Sequence, residues 1–211
     1  MIKKYLFDFD GTLVDSMPTY AALMLRILNE NNATYGDDII KIITPLGFKG
    51  TAKYFREVLG MQLSEEALGQ LMQDYAIYEY TYNVPAKEYV IETLRKLKDA
   101  GCDLNVLTAS PHITLDPCLK RLGIYDIFTN VWSCDDFATT KADPEIYRMV
   151  ARELDCQVED VLFLDDNINA DKTAKQAGMM VCGVFDPTSA DMVDEMKAVC
   201  DMYIYDFREL L

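Results

Sequence analysis

Asp8 and Asp10 stand one residue apart in the stretch YLFDFDGTLVDS, residues 5–16, and Gly11 and Thr12 follow at once. Side chains at i and i+2 of a strand share a face, so two carboxylates on a regular pleat would crowd each other. Gly11 is where the strand is expected to break, letting Asp10 swing out over a site at the strand's end. Two carboxylates held close oppose each other's ionisation unless a cation intervenes or one keeps a proton. Both remedies suit phosphoryl transfer. One carboxylate can attack phosphorus and carry it as an aspartyl-phosphate. The second can protonate the leaving alcohol and then deprotonate the water that cleaves the intermediate. The negative charge gathered in such a site calls for magnesium on oxygen ligands, and for a lysine and a hydroxyl from other loops.

Those groups need a scaffold that brings distant loops together. Short apolar runs ending in polar residues, at 5–10, 102–108, 161–166 and 179–185, read as strands, with a weaker candidate at 128–132. Helical patterns lie between them, one opened by Asp143-Pro144, and Gly101, Gly123 and Gly178 sit where helices would stop. Such alternation predicts an α/β fold, a Rossmann-like parallel sheet with helices on both faces. Ligands bind such sheets at the carboxyl ends of the strands, where Asp8, Asp10, Thr108, Asp165 and Asp166 all fall. Thr108 to Lys141 is 33 positions and Lys141 to Asp165 is 24, near one βαβ unit, but Asp8 to Thr108 is 100. An insertion is therefore expected after the first strand. Tyr20, Leu23, Met24, Ile27 and Leu28 form one helical stripe there, and Leu68, Leu71, Met72 and Tyr75 another. The expected division is a core of residues 1–15 and 84–211 and a helical cap of residues 16–83.

Composition narrows the partners. Among 211 residues, 35 acidic side chains face 20 basic ones, a net charge of −15, which argues against nucleic acid or an anionic membrane surface as the main partner. No stretch approaches the length of a membrane span, and the six cysteines are scattered without a zinc-like spacing. They read as buried, reduced thiols of a cytoplasmic protein, either a monomer or a weak homodimer.

DFDGTLVDS, VLTAS, the lone Lys141 of TTKADPEIY, and VLFLDDNINADKTAKQAGM together resemble the four motifs of the haloacid dehalogenase-like hydrolases, in the phosphatase branch with a small helical cap. The resemblance implies Asp8 as nucleophile and magnesium ligand. It implies Asp10 as acid/base, lending magnesium its backbone carbonyl. Thr108 and the loop amides of Ala109 and Ser110 would bind the phosphoryl oxygens, and Lys141 would bind both Asp8 and the phosphoryl group. Asp166 matches the acidic metal ligand of the fourth motif, with Asp165 beside it in direct or water-mediated contact. The substrate implied is a small phosphorylated metabolite. A later acid of the fourth motif is replaced by Ala170, and Asp171, one residue on, is expected to be turned away on its helix.

Other readings accompany these. Thr108 could merely end a strand, and Lys141 could lie on the surface. Asp15 and Ser16 read as a cap for the first inserted helix, and His112 as a first-turn residue. The tyrosines of DYAIYEYTY read as filling the insert's core and hinge. TPLGFKG, residues 44–50, reads either as a hinge loop or as a cap loop bringing Lys49 to substrate. Within the resemblance, a sugar-phosphate mutase like β-phosphoglucomutase shares all four motifs. A phosphonoacetaldehyde hydrolase would use a Schiff-base lysine near Lys49 and lack the acid at Asp10. A non-catalytic binding protein on the same fold would have no need of the intact set.

Overall fold

The structure, a computed structural model, describes residues 3–211, with Pro45 described by its backbone alone. The chain divides into two compact units, residues 17–83 and the remainder. That boundary falls one residue later than expected, leaving Ser16 with the core.

The core unit opens with β1 (Lys4–Phe7). The inserted unit follows, carrying α1 (Met17–Glu30), α2 (Ile39–Ile43), α3 (Gly47–Glu57) and α4 (Glu65–Tyr82). The core then resumes with α5 (Val90–Asp99), β2 (Asp103–Thr108), α6 (His112–Arg121), β3 (Asn130–Ser133) and α7 (Pro144–Glu153). It ends with β4 (Val161–Asp165), α8 (Ile168–Ala177), β5 (Met180–Val184), α9 (Val193–Val199) and β6 (Met202–Ile204). All six strands are parallel, in the order β3-β2-β1-β4-β5-β6.

From β1 the chain builds outward first through β2 and β3, then from β4 through β6 on the other side. Right-handed crossovers in opposite directions put helices on opposite faces of the sheet. The packing agrees. Leu6, Leu107, Phe163 and Val181 form one face, against Tyr147 and Val150 of α7 and Ala174 of α8. Phe7, on the opposite face, packs with Phe128 and Phe207 at ring distances of 6.3 and 6.2 Å. Strands covered on both sides read as continuous apolar runs, which is why VLFL of β4 is wholly buried. The order also reverses at β1 and β4, so the crevice at their carboxyl ends lies between the loops after Phe7 and after Asp165.

In the inserted unit the expected stripes of α1 and α4 are buried together at Leu23, Met24, Ile27, Leu28, Leu68 and Met72. Three local expectations are corrected. Residues 44–50 are not an open loop, since Thr44–Leu46 form a 3-10 turn and α3 begins at Gly47. Ser16 does not cap α1, for its buried hydroxyl has no hydrogen-bond partner among the described residues. Of the tyrosines of DYAIYEYTY, Tyr75 and Tyr80 pack against the core of the inserted unit, but Tyr78 and Tyr82 do not. They are exposed, with ring centroids 5.0 Å apart as i, i+4 neighbours on α4.

Candidate active site

β1 ends at Phe7, three residues earlier than the apolar run suggests, so Asp8 and Asp10 both lie beyond the ladder. Asp8 keeps one last sheet-like bond, from its N–H to the Leu164 carbonyl at 2.8 Å. The chain then turns tightly: Leu13 N and Val14 N both donate to the Phe9 carbonyl, and Gly11 N donates to the Val14 carbonyl. Gly11 sits at φ +71°, where a Cβ would stand 2.4 Å from Asp166 Oδ2, so position 11 needs glycine for its conformation and for its space.

Asp8, Asp165 and Asp166 each offer a carboxylate oxygen within 4.8 Å of the others, a group of three able to hold a metal ion among the described residues. Lys141 reaches across it, donating to Asp8 Oδ1 and, at 2.7 Å, to Asp165 Oδ2. Asp165 is fully engaged, its other oxygen accepting from Asn167 N at 2.8 Å. Asp166 accepts from Thr12 Oγ1 at 3.2 Å on Oδ1, and its Oδ2 has no hydrogen bond among the described residues. Asp10 lies outside this group and accepts through Oδ2 from the Ser110 hydroxyl. Thr108 is buried at the end of β2, its Oγ1 accepting from Ser110 N at 3.1 Å, which shapes the loop of Ala109 and Ser110. The core unit thus gathers Asp8, Asp10, Thr108, Ser110, Lys141, Asp165 and Asp166. Lys49 is not among them. It is exposed in the first turn of α3 in the inserted unit.

Charge in this cluster is unbalanced. Burial pushes Asp8 up to about 7, with Asp165 and Asp10 adding to the rise and Lys141 opposing it. Burial likewise holds Asp166 well above the usual carboxylate range, reinforced by Asp165 and Asp8. Burial also disfavours the charged form of Lys141, but Asp165 and Asp8 outweigh it and hold the ammonium well above the usual lysine value. One ammonium set among three carboxylates leaves an excess of negative charge. An all-oxygen donor set of that sign fits a hard divalent cation such as magnesium.

One supporting residue escaped the sequence reading, and the burial of another was not foreseen. Tyr147 is fully buried on α7, and its hydroxyl contacts the carbonyls of Lys141 and Ala170, each at 3.2 Å, tying the lysine loop to α8. Asp171, expected to be turned away on its helix, is fully buried on α8 and lies outside the group of three carboxylates. Cys200 Sγ lies 3.3 Å from Asp171 Oδ2, and Asp171 Oδ1 has no hydrogen-bond partner among the described residues. Burial pushes this carboxyl up to about 8. No sequence signal marks its burial, because the neighbouring thiol comes from Cys200, just after α9 and far along the chain. The six cysteines are all free, though Cys156 and Cys200 are only half-buried. His112 opens α6 and bridges Asp116 and Asp136, 2.9 Å from each.

The raised carboxyls set a pH dependence. In the unfolded chain these groups lose their protons near pH 4, whereas the folded chain keeps them up to about pH 7 at Asp8 and about pH 8 at Asp171. Between those limits the native state binds more protons, so stability falls as pH rises. In chelator, thermal unfolding followed by calorimetry should give a melting temperature that declines from pH 5 to pH 8.5. Asp171→Asn should flatten the upper part of that decline. A melting temperature level across the range would contradict the assignment.

The sequence model of the haloacid dehalogenase-like hydrolases matches residues 2–178. The chain belongs to that hydrolase family. It is 31% identical over 185 residues to the pyrophosphatase PpaX of Bacillus velezensis, covering 85% of this chain and 81% of that one. It is also 31% identical over 190 residues to a phosphoglycolate phosphatase of Colwellia psychrerythraea, covering 85% and 82%. In fold it is similar to CbbY of Rhodobacter sphaeroides, solved in complex with phosphate, at a TM-score of 0.80 and 22% identity over 100% of this chain and 96% of the other. No helix among the described residues is long and apolar enough to cross a membrane.

Proposed function

We propose that the protein is a magnesium-dependent phosphatase that hydrolyses a small phosphomonoester through an aspartyl-phosphate on Asp8. The observation that carries this reading is the buried group of Asp8, Asp165 and Asp166 with Lys141 set between Asp8 and Asp165. Asp8 attacks phosphorus, and the bond to the leaving oxygen breaks as Asp10 delivers a proton to it. Asp10 then takes a proton from water, whose oxygen attacks the same phosphorus and releases Asp8 and inorganic phosphate. Thr108 and the amides of Ala109 and Ser110 bind the phosphoryl oxygens, and Lys141 neutralises charge on them and on Asp8.

Magnesium would be held by Asp8, Asp166 and the Asp10 carbonyl, and it supplies positive charge to the phosphoryl oxygens and the nucleophile. Asp166 suits direct ligation because its Oδ2 is unengaged, whereas Asp165, with both oxygens already accepting, suits a supporting contact. The Ser110 hydroxyl on Asp10 holds the acid/base beside the phosphate loop. A phosphonoacetaldehyde hydrolase is disfavoured by the acid at Asp10. Six free thiols fit a reducing, cytoplasmic setting.

Release of phosphate from p-nitrophenyl phosphate should require magnesium and stop in chelator. Asp166→Ala should raise the magnesium concentration for half-maximal rate by about 10–100-fold, the scale for disturbing a metal site, and Asp165→Ala by less. Full activity in chelator, or the larger effect from Asp165→Ala, would overturn the metal assignment.

A further inference from the structure

Lys87 belongs to none of the four motifs. It lies in the core segment after the inserted unit, with a side chain only 17% exposed. Its ammonium meets three acceptors: the Gly11 carbonyl at 2.6 Å, the Phe185 carbonyl at 2.7 Å and Asp186 Oδ2 at 3.1 Å. A lysine ammonium has three protons, so all are used, and the group is a fixed point rather than a mobile surface charge. Its backbone is fastened to the same turn, with Lys87 N donating to the Leu13 carbonyl at 3.1 Å. Asp186 is equally fixed. It is 1% exposed, and its Oδ1 accepts from Thr188 N at 2.9 Å and from Thr188 Oγ1 at 2.6 Å.

Gly11 is the residue gripped, and it joins two parts of the site. Asp10 precedes it directly in the chain. Its Cα faces Asp166 so closely that a Cβ would stand 2.4 Å from Oδ2. Thr12, which follows, donates to the other oxygen of Asp166. Moving the Gly11 peptide would therefore displace Asp10 and remove the wall against which Asp166 rests. Among the described residues, Lys87 is the one side chain that holds the Gly11 carbonyl.

We propose that Lys87 is a positioning residue for the phosphatase reaction, an inference that rests on the function proposed above: by holding the Gly11 carbonyl it sets Asp10 for proton transfer and Asp166 for the cation, without touching substrate. Loss of Lys87 then lowers turnover and cation affinity and leaves substrate binding nearly unchanged.

The test compares Lys87→Met, Asp186→Asn and the double variant Lys87→Met/Asp186→Asn with the wild type. Asp186→Asn keeps Lys87 on Gly11, while the double variant removes the buried charge from both sides and so relieves the unpaired carboxylate that Lys87→Met leaves. With p-nitrophenyl phosphate, both variants lacking Lys87 should lose on the order of 10–100-fold in kcat, the scale for misplacing a catalytic group, with KM changed by less than about twofold. Magnesium titrated calorimetrically should bind them several-fold more weakly. Asp186→Asn should keep kcat within about threefold of wild type despite a lower melting temperature. The inference is overturned if kcat simply follows melting temperature, so that the double variant regains wild-type turnover or Asp186→Asn loses as much as Lys87→Met. Should Lys87→Met fail to fold, the other two variants still decide. A wild type that releases no phosphate from any phosphomonoester would sink the proposed function; magnesium calorimetry then decides for Lys87, and unchanged affinity in the double variant overturns it.

Discussion

Asp8→Asn should abolish turnover, lowering kcat by about 10⁴-fold or more, the scale seen when a covalent nucleophile is removed. The amide has nearly the shape of the carboxylate and cannot form the phosphoryl ester, so the covalent route itself is lost. The fold should survive. Asp8 is a buried carboxyl whose ionisation burial resists, and its pKa stands at about 7. A neutral side chain there removes that cost at alkaline pH. Lys141 loses one acceptor but keeps Asp165 Oδ2 at 2.7 Å. The melting temperature of Asp8→Asn in chelator should therefore match or exceed that of the wild type at pH 8. Phosphate release measures the first claim and calorimetry the second. Trapping a phospho-enzyme with the phosphate on a residue other than Asp8 would refute the assignment.

The parts of this site that were legible in the sequence are those whose chemistry is carried by residue type at a strand's end. Asp8, Thr108, Asp165 and Asp166 could be placed because apolar runs lead directly into them, and β1, β2 and β4 are neighbours in the sheet. Lys141 was legible only through its motif, since no periodicity marks a lysine in a loop. What escaped notice acts through backbone carbonyls contributed by remote segments. Lys87 reaches Gly11 and Phe185, and Tyr147 reaches Lys141 and Ala170, and neither contact leaves a local pattern in the chain. β6 escaped for a different reason. Three residues, Met202–Ile204, at the sheet's edge are too short for a run, and they are recognisable only by pairing with β5. The reading of residues 44–50 as a loop rests on Gly47 and Gly50 flanking Phe48 and Lys49 between two helical patterns, and glycine does not break the chain there. Pro45 sits in the first turn of a 3-10 segment opened by Thr44, and Gly47 starts α3 with φ +62°, so both residues lie at the start of helical segments.

Lys141→Met carries the second large effect, and it separates charge from geometry. The ammonium is the cation that Asp8 and Asp165 share, and all three side chains are at most 14% exposed. Removing it leaves two buried carboxylates facing each other without a counter-charge, a change of the kind that costs about 3–5 kcal/mol. The loss should depend on pH. With Lys141 present Asp8 stands at about 7, and loss of the lysine raises it further, so at pH 5 the carboxyl is protonated in both proteins and the stability deficit should be smallest there and grow toward pH 8. Turnover should fall by about 10²–10³-fold, as when one preorganised donor to the developing charge is lost. Lys141→Arg restores the charge but places it on a longer planar fork that cannot occupy the point between Asp8 and Asp165. It should therefore recover much of the melting temperature at pH 8 and little of kcat. Chelator-treated samples give the stability comparison free of bound cation, and steady-state kinetics at saturating magnesium gives the catalytic one. Recovery of both properties in Lys141→Arg would mean that net charge alone suffices. A kcat for Lys141→Met within about tenfold of wild type would mean that the lysine only stabilises the fold, and its role on the phosphoryl group would fall.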